Sequence, residues 1–144
     1  MPRGAWVLDP DSGGVKVPET IKRRTEARLH EVAAAEFAGR YTRLEIRFRG
    51  VFCYVDAYTE PEPPGPNWPP PNWPETTEQY LERLRTTPTH LCRLRYFGPG
   101  DRWSFGFYTY SNERYALSIF PSGDFFGMAE EALRIAAGVY LAGG

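Results

Sequence analysis

Few side chains in this 144-residue chain have a claim to chemistry: two histidines, two cysteines, and a set of arginines and tyrosines that recur at strand spacing. A histidine changes charge near neutral pH and can act as a general base when a neighbour orients it. His30 falls among charged residues at the edge of a helical stripe, and His90 falls where a helix gives way to a strand. Both positions suit a surface or capping histidine. Cys53 and Cys92 are too far apart for a zinc pair, and alternation puts both on the apolar side of strands, where a desolvated thiol is inert. Gly98-Pro99-Gly100 runs into a strand rather than a helix, so it is a turn and not a phosphate cradle. A nucleophile elbow and a metal-binding histidine pair are absent from the sequence. The sequence therefore names no catalytic residue, no metal ligand and no cofactor.

The collective signal is stronger. Read at period two, the first two strands turn Tyr41, Arg43, Glu45 and Arg47, then Phe52, Tyr54, Asp56 and Tyr58, to one side. Arg93, Arg95, Tyr108 and Tyr110 join them from later strands, with Ser104, Gly106, Ala116 and Ser118 as a shallow floor. A solvated sheet face usually carries Thr, Lys and Glu, whereas Tyr and Arg are enriched at interfaces, because they combine contact area with polar tips. The candidate binding residues are Arg43, Arg47, Tyr54, Asp56, Tyr58, Arg93, Arg95, Tyr108 and Tyr110, with Arg43 facing Asp56 as a cross-strand ion pair. Trp68 and Trp73 complete the set. They come from the twice-repeated unit Pro-Asn-Trp-Pro in a segment, 60–75, that holds eight prolines. Such a segment forms neither helix nor ladder and reads as an extended polyproline-like loop. It leaves the strand that ends at Tyr58, so its short course runs back over the tyrosines.

The elements that position these residues follow from periodicity. From Pro18 to about Ala38 the chain avoids glycine and proline and carries Leu29, Val32, Ala33 and Phe37 on one stripe, a helix stopped by Gly39. Residues 41–49 alternate, and Arg49-Gly50 reads as a two-residue hairpin loop that sets Phe48 against Val51 and Ile46 against Cys53. Thr76 and Gln79 fit a capping box that opens a helix to about Arg85. Leu91–Phe97, Trp103–Tyr110 and Tyr115–Phe120 alternate as a meander, with Cys92, Leu94 and Tyr96 opposite Phe107, Phe105 and Trp103. Bringing Leu117 and Ile119 to the same side as Phe105 and Phe107 requires a three-residue loop at Asn112-Glu113-Arg114. Met128–Leu141 is an amphipathic helix whose apolar stripe includes Leu133, Ile135 and Val139.

The expected fold is α+β over residues 1–144 as one domain: a single antiparallel sheet of about five strands, a hairpin plus a three-stranded meander, with helices packed on one face. Residues 1–17 form an N-terminal arm that docks through Trp6-Val7-Leu8. With 42% hydrophobic residues, 24% charged residues and a net charge of −1, the composition is that of a folded globular chain. All 17 basic residues but Lys16 and Lys22 are arginine. The balance of charge argues against a general nucleic-acid or membrane binder. Without an apolar run of membrane length or a secretory leader pattern, the expected location is cytoplasmic. These features point to a small interaction domain whose partner is another protein or a second copy. The alternatives are an enzyme or ligand site between the Tyr/Arg face and loop 60–75, and a single-stranded nucleic-acid binder. Glu45 and Asp56 weigh against the last.

Overall fold

Gly50 sets the first hairpin. Its φ of 61° is the left-handed conformation that a tight hairpin turn needs at its first loop position. The loop is thus Gly50-Val51, and the register runs from Arg49↔Phe52 through Phe48↔Cys53 and Ile46↔Val55 to Arg43↔Tyr58. The expected loop, Arg49-Gly50, is corrected by one position at each end and each cross-strand pairing by two residues. A shift of two leaves every side chain on its expected face, which is why alternation alone could not detect it.

The computed structural model describes residues 12–99, 101–109 and 113–141. Tyr110 and the Trp6-Val7-Leu8 patch lie outside the described residues. Three helices, α1 (Glu19–Glu36), α2 (Thr77–Thr86) and α3 (Ala129–Tyr140), accompany five strands: β1 (Arg43–Arg49), β2 (Phe52–Tyr58), β3 (Thr89–Tyr96), β4 (Trp103–Thr109) and β5 (Arg114–Ser118). The strands form one antiparallel sheet in chain order. The α+β expectation, with one open antiparallel sheet, holds. No helix among the described residues is long and apolar enough to cross a membrane.

β3 and β4 pair as expected, with Leu94 opposite Phe105 and Tyr96 opposite Trp103. The last hairpin does not. Thr109 faces Arg114, so residues 110–113 lie between them, an even count that reverses the expected parity. Ala116 and Ser118 sit opposite Phe107 and Phe105, while Tyr115 and Leu117 face Tyr108 and Gly106 on the other side. Ile119 is half exposed, and the inward aromatic is Phe120, 2% exposed and 4.6 Å from the ring of Phe105.

The core lies between the sheet and the pair α1 and α3. Leu29, Val32 and Ala33 of α1 and Ala132, Leu133, Ala136 and Ala137 of α3 bury against Val55, Leu94, Trp103 and Phe105. Full burial of a side chain such as Leu133 or Phe105 stabilises by roughly 1.5–3 kcal/mol. Val139, expected in this stripe, is 61% exposed, because alanines rather than large side chains make the seam of α3. The arm from residue 12 stitches the first turn to the end of β3: Val15 N–H donates to the Tyr96 carbonyl at 2.8 Å and Val17 N–H to that of Gly50 at 3.0 Å. Tyr41, expected among the open-face residues, packs against the core.

The proline-rich segment is not uniformly extended. The N–H of Trp68 bonds the Gly65 carbonyl and that of Trp73 the Pro70 carbonyl, each at 3.2 Å. Each Pro-Asn-Trp is therefore a β-turn with proline at its second position, and in the second of them Asn72 takes φ 65°. The turns deliver both indoles to α2, whose capping box at Thr76 and Gln79 is formed as expected. Trp68 lies 4.3 Å from the ring of Tyr80 and 4.8 Å from Trp73. Bidentate pairs from Arg83 to Glu75 and from Arg85 to Glu60 fix the helix to both ends of the segment. No residue of α2 is buried, so helix and loop form a satellite beside the sheet.

Candidate functional site

The face of the sheet opposite α1 and α3 is organised by an irregularity in β3. Val55 faces Cys92 but Asp56 faces His90, which leaves Leu91 without a partner on β2. Unbroken alternation would set Asp56 opposite Leu91 and turn His90 toward the core. The extra residue re-aims His90 outward, a common use of a β-bulge. Its Nδ1 donates to Asp56 Oδ1 at 2.8 Å, and Arg47 Nη2 donates to Asp56 Oδ2 at 3.0 Å. Asp56 is 2% exposed. Such a carboxylate is costly unless its oxygens are hydrogen-bonded, and here both are.

Aromatic rings surround this carboxylate. His90 lies 4.6 Å from Tyr108 with the rings tilted by 53°, Tyr108 meets Tyr115 at 5.1 Å, and Tyr115 reaches Tyr54 at 5.9 Å. Ser104 and Gly106, the open-face residues of β4 between them, add little bulk. A Cβ at Gly106 would come within 2.7 Å of the Ala116 carbonyl oxygen, so β4 and β5 approach closely there. Burial, with the nearby charge of Asp56, pushes the Tyr115 phenol above its ordinary range and keeps it a hydrogen-bond donor.

Arginines cap the remaining rings. Arg43 lies 4.0 Å over Tyr58, Arg47 5.1 Å over Tyr54, and Arg93 and Arg95 4.4 and 4.6 Å over Phe52. Tyr58 also donates to Glu45 at 3.4 Å, while Arg95 donates to the Gly13 carbonyl at 3.0 Å. Each exposed cation–π contact is worth about 0.5–1 kcal/mol. Together they hold long side chains in place. Arg43, Arg47, Arg49, Arg93 and Arg95 stand against Glu45 and Asp56, so this face is net positive on a chain of net charge −1.

No family model, curated protein or solved structure was found to match the chain. The functional reading rests on the geometry.

The sheet brings Arg43, Arg47, Tyr54, Asp56, Tyr58, Arg93, Arg95 and Tyr108 onto one face. Arg43 does not pair with Asp56: the two-residue register shift sends it to Tyr58 and gives the carboxylate to Arg47 and His90. Trp68 and Trp73 pack on Tyr80, and among the described residues no ring contact joins them to the tyrosines of the face. Ala116 and Ser118 leave the expected floor for the core side. His90, read from the sequence as a surface or capping histidine, and Tyr115 join the candidate site beyond the residues expected there. Tyr115 was masked by the parity of the last hairpin, and no signal local to His90 reveals the bulge.

Two clefts open elsewhere. One of about 410 Å³ is lined by Pro99, Asp101, Arg102, Asp124, Phe126 and Gly127, and another of about 470 Å³ lies between Pro61, Leu84 and Pro88. Neither is lined by Asp56 or His90. Among the described residues no three His, Cys, Asp or Glu side chains converge as metal ligands. His30 is exposed, 3.9 Å from Glu26 of the same helix. Both cysteines are buried; burial pushes the Cys92 thiol up to about 12 and raises Cys53 as well.

Proposed function

We propose that this chain is a non-catalytic binding module and that the open face of its sheet docks a protein partner. The observation that carries the reading is the buried Asp56 carboxylate, tied to Arg47 and His90 at the centre of a face whose rings already carry guanidinium caps. Preorganised Tyr and Arg side chains cost little entropy on association, and they are the types that dominate binding energy at protein interfaces. Self-association across a two-fold axis would set the same five arginines against each other. A different partner, of opposite charge, fits better.

One observation favours a second reading: an imidazole oriented by a carboxylate is the arrangement of a general base. A small substrate would need a cleft above that ring; neither cleft described is lined by His90 itself, and the second comes as near as its neighbour Thr89.

The docking reading is tested by placing a photo-activatable phenylalanine derivative at Arg49, on the rim of the face, or at Val139, exposed on α3, and irradiating whole cells. One adduct of defined mass from position 49, absent from position 139, is expected. Equal labelling at both positions, or none at position 49, would refute the assignment of the face.

A further inference from the structure

Arg93 differs from the arginines at the centre of the face. Arg43 has Glu45 at 4.0 Å, Arg47 has Asp56 at 3.0 Å, and Arg95 holds the Gly13 carbonyl, while Arg49, also without a carboxylate, is exposed on the rim. Arg93 is half-buried between two rings, 4.4 Å from Phe52 and 5.2 Å from Tyr115, and among the described residues no carboxylate forms an ion pair with it. Ring contacts give a guanidinium no hydrogen-bond acceptor, and its N–H groups form a fork matched to a carboxylate. We propose that Arg93 is the receptor for a carboxylate of the docked partner, an acidic segment of a protein chain lying across β2, β3 and β4. The proposal rests on the docking reading and names the partner's chemistry.

Three features select a protein carboxylate over the phosphates of a single-stranded nucleic acid. The faces of Phe52, Tyr54 and Tyr58 carry guanidinium groups, which takes up three of the rings on which bases would stack. Glu45 and Asp56 lie on the same face and would repel a continuous phosphate backbone, whereas separate carboxylates can avoid them. Tyr115 and Leu117 extend the face beyond Arg93 with uncharged surface, which suits apolar side chains flanking an acidic residue.

The test uses the full chain and three labelled probes read by fluorescence anisotropy at low ionic strength: hexaglutamate, hexaglutamine and a thymidine hexanucleotide. Hexaglutamate should bind about tenfold or more tighter than either of the others, and Arg93→Gln should weaken it about tenfold. Arg93→Lys keeps the charge but loses the fork and should weaken it nearly as much, whereas Arg23→Gln, exposed on α1 away from the face, should change it less than about threefold. Unchanged thermal midpoints establish that each variant is folded, and Arg93→Lys decides the matter if Arg93→Gln does not fold. Equal or tighter binding of the oligonucleotide, no binding of hexaglutamate, or an Arg93→Lys affinity equal to the parent's would overturn the assignment. A cross-link from position 49 without hexaglutamate binding removes the carboxylate receptor and leaves the docking face. A missing cross-link removes the docking face itself.

Discussion

His90 donates to Asp56 across β2 and β3 at 2.8 Å only because Leu91 is taken up as an extra residue in β3. The contact brings together an imidazole that is part-exposed and a carboxylate that is not, and Arg47 closes the other side of the carboxylate. Hydrogen bonds to a charged group contribute about 1.5–3 kcal/mol each, and exposure of Arg47 reduces its share. Asp56→Ala should therefore lower stability by about 2–3 kcal/mol, and Asp56→Asn by less, since the amide keeps an acceptor. Denaturant titration measures both. An Asp56→Ala variant as stable as the parent would mean that the network holds nothing together.

Phe105→Ala should cost about 3–5 kcal/mol, because it opens a cavity beside Phe107 and Phe120. Val139→Ser, at a position that amphipathic patterning assigns to the core, should stay within about 0.5 kcal/mol, since the side chain is 61% exposed. Thermal melts of the two variants discriminate the observed seam of α3 from the expected one. Reversed effects would contradict the packing of α3.

Gly106→Ala places a methyl group 2.7 Å from the Ala116 carbonyl oxygen, a contact that β4 and β5 can relieve only by separating. Overpacking of this kind costs about 1–3 kcal/mol. Because the same movement would displace Tyr115, its amide signal and that of Tyr108 should shift more than those of α1. A neutral substitution would show that the two strands are not so closely apposed.

Cys53 and Cys92 should resist a thiol reagent at pH 8 in the folded protein and react at once in denaturant. Burial raises both thiols above their unfolded value of about 8.5, and Cys92 reaches about 12. A raised pKa contributes stability that is fully present below the unfolded value and is lost as pH rises through the folded one. Stability should accordingly decline from about pH 8.5 upward, and Cys92→Ala should reduce the slope. Rapid native labelling would place a thiol at the surface and contradict the sheet register.

Much of the fold can be read from alternation, and the failures have specific causes. Tyr96↔Trp103 was legible because Gly98-Pro99 fixes the turn. Leu117 and Ile119 misled because apolar side chains are assumed to point inward, whereas β5 is an edge strand with Ala116 exposed on the core side, and Phe120 is the residue that reaches the core. Most of the open face was legible as well, since Arg43, Arg47 and Tyr54 keep their side under a shift of two and β3, with Arg93, pairs with β4 as expected. Its centre was not: His90 reaches Asp56 through a bulge with no composition signal. The Pro-Asn-Trp repeats announce turns through Pro and Asn, but nothing local says that the indoles rest on Tyr80 rather than on Tyr54.

The central claim, that the open face is the binding surface and an acidic segment its ligand, is tested most directly by mapping amide shifts while hexaglutamate is added to labelled protein. Perturbations should concentrate at Arg47, Tyr54, Asp56, His90, Arg93 and Tyr115, leave α1 and α3 unmoved, and weaken in Arg93→Lys. Shifts centred instead on Trp68, Trp73 and Tyr80, or on the helices, would contradict it.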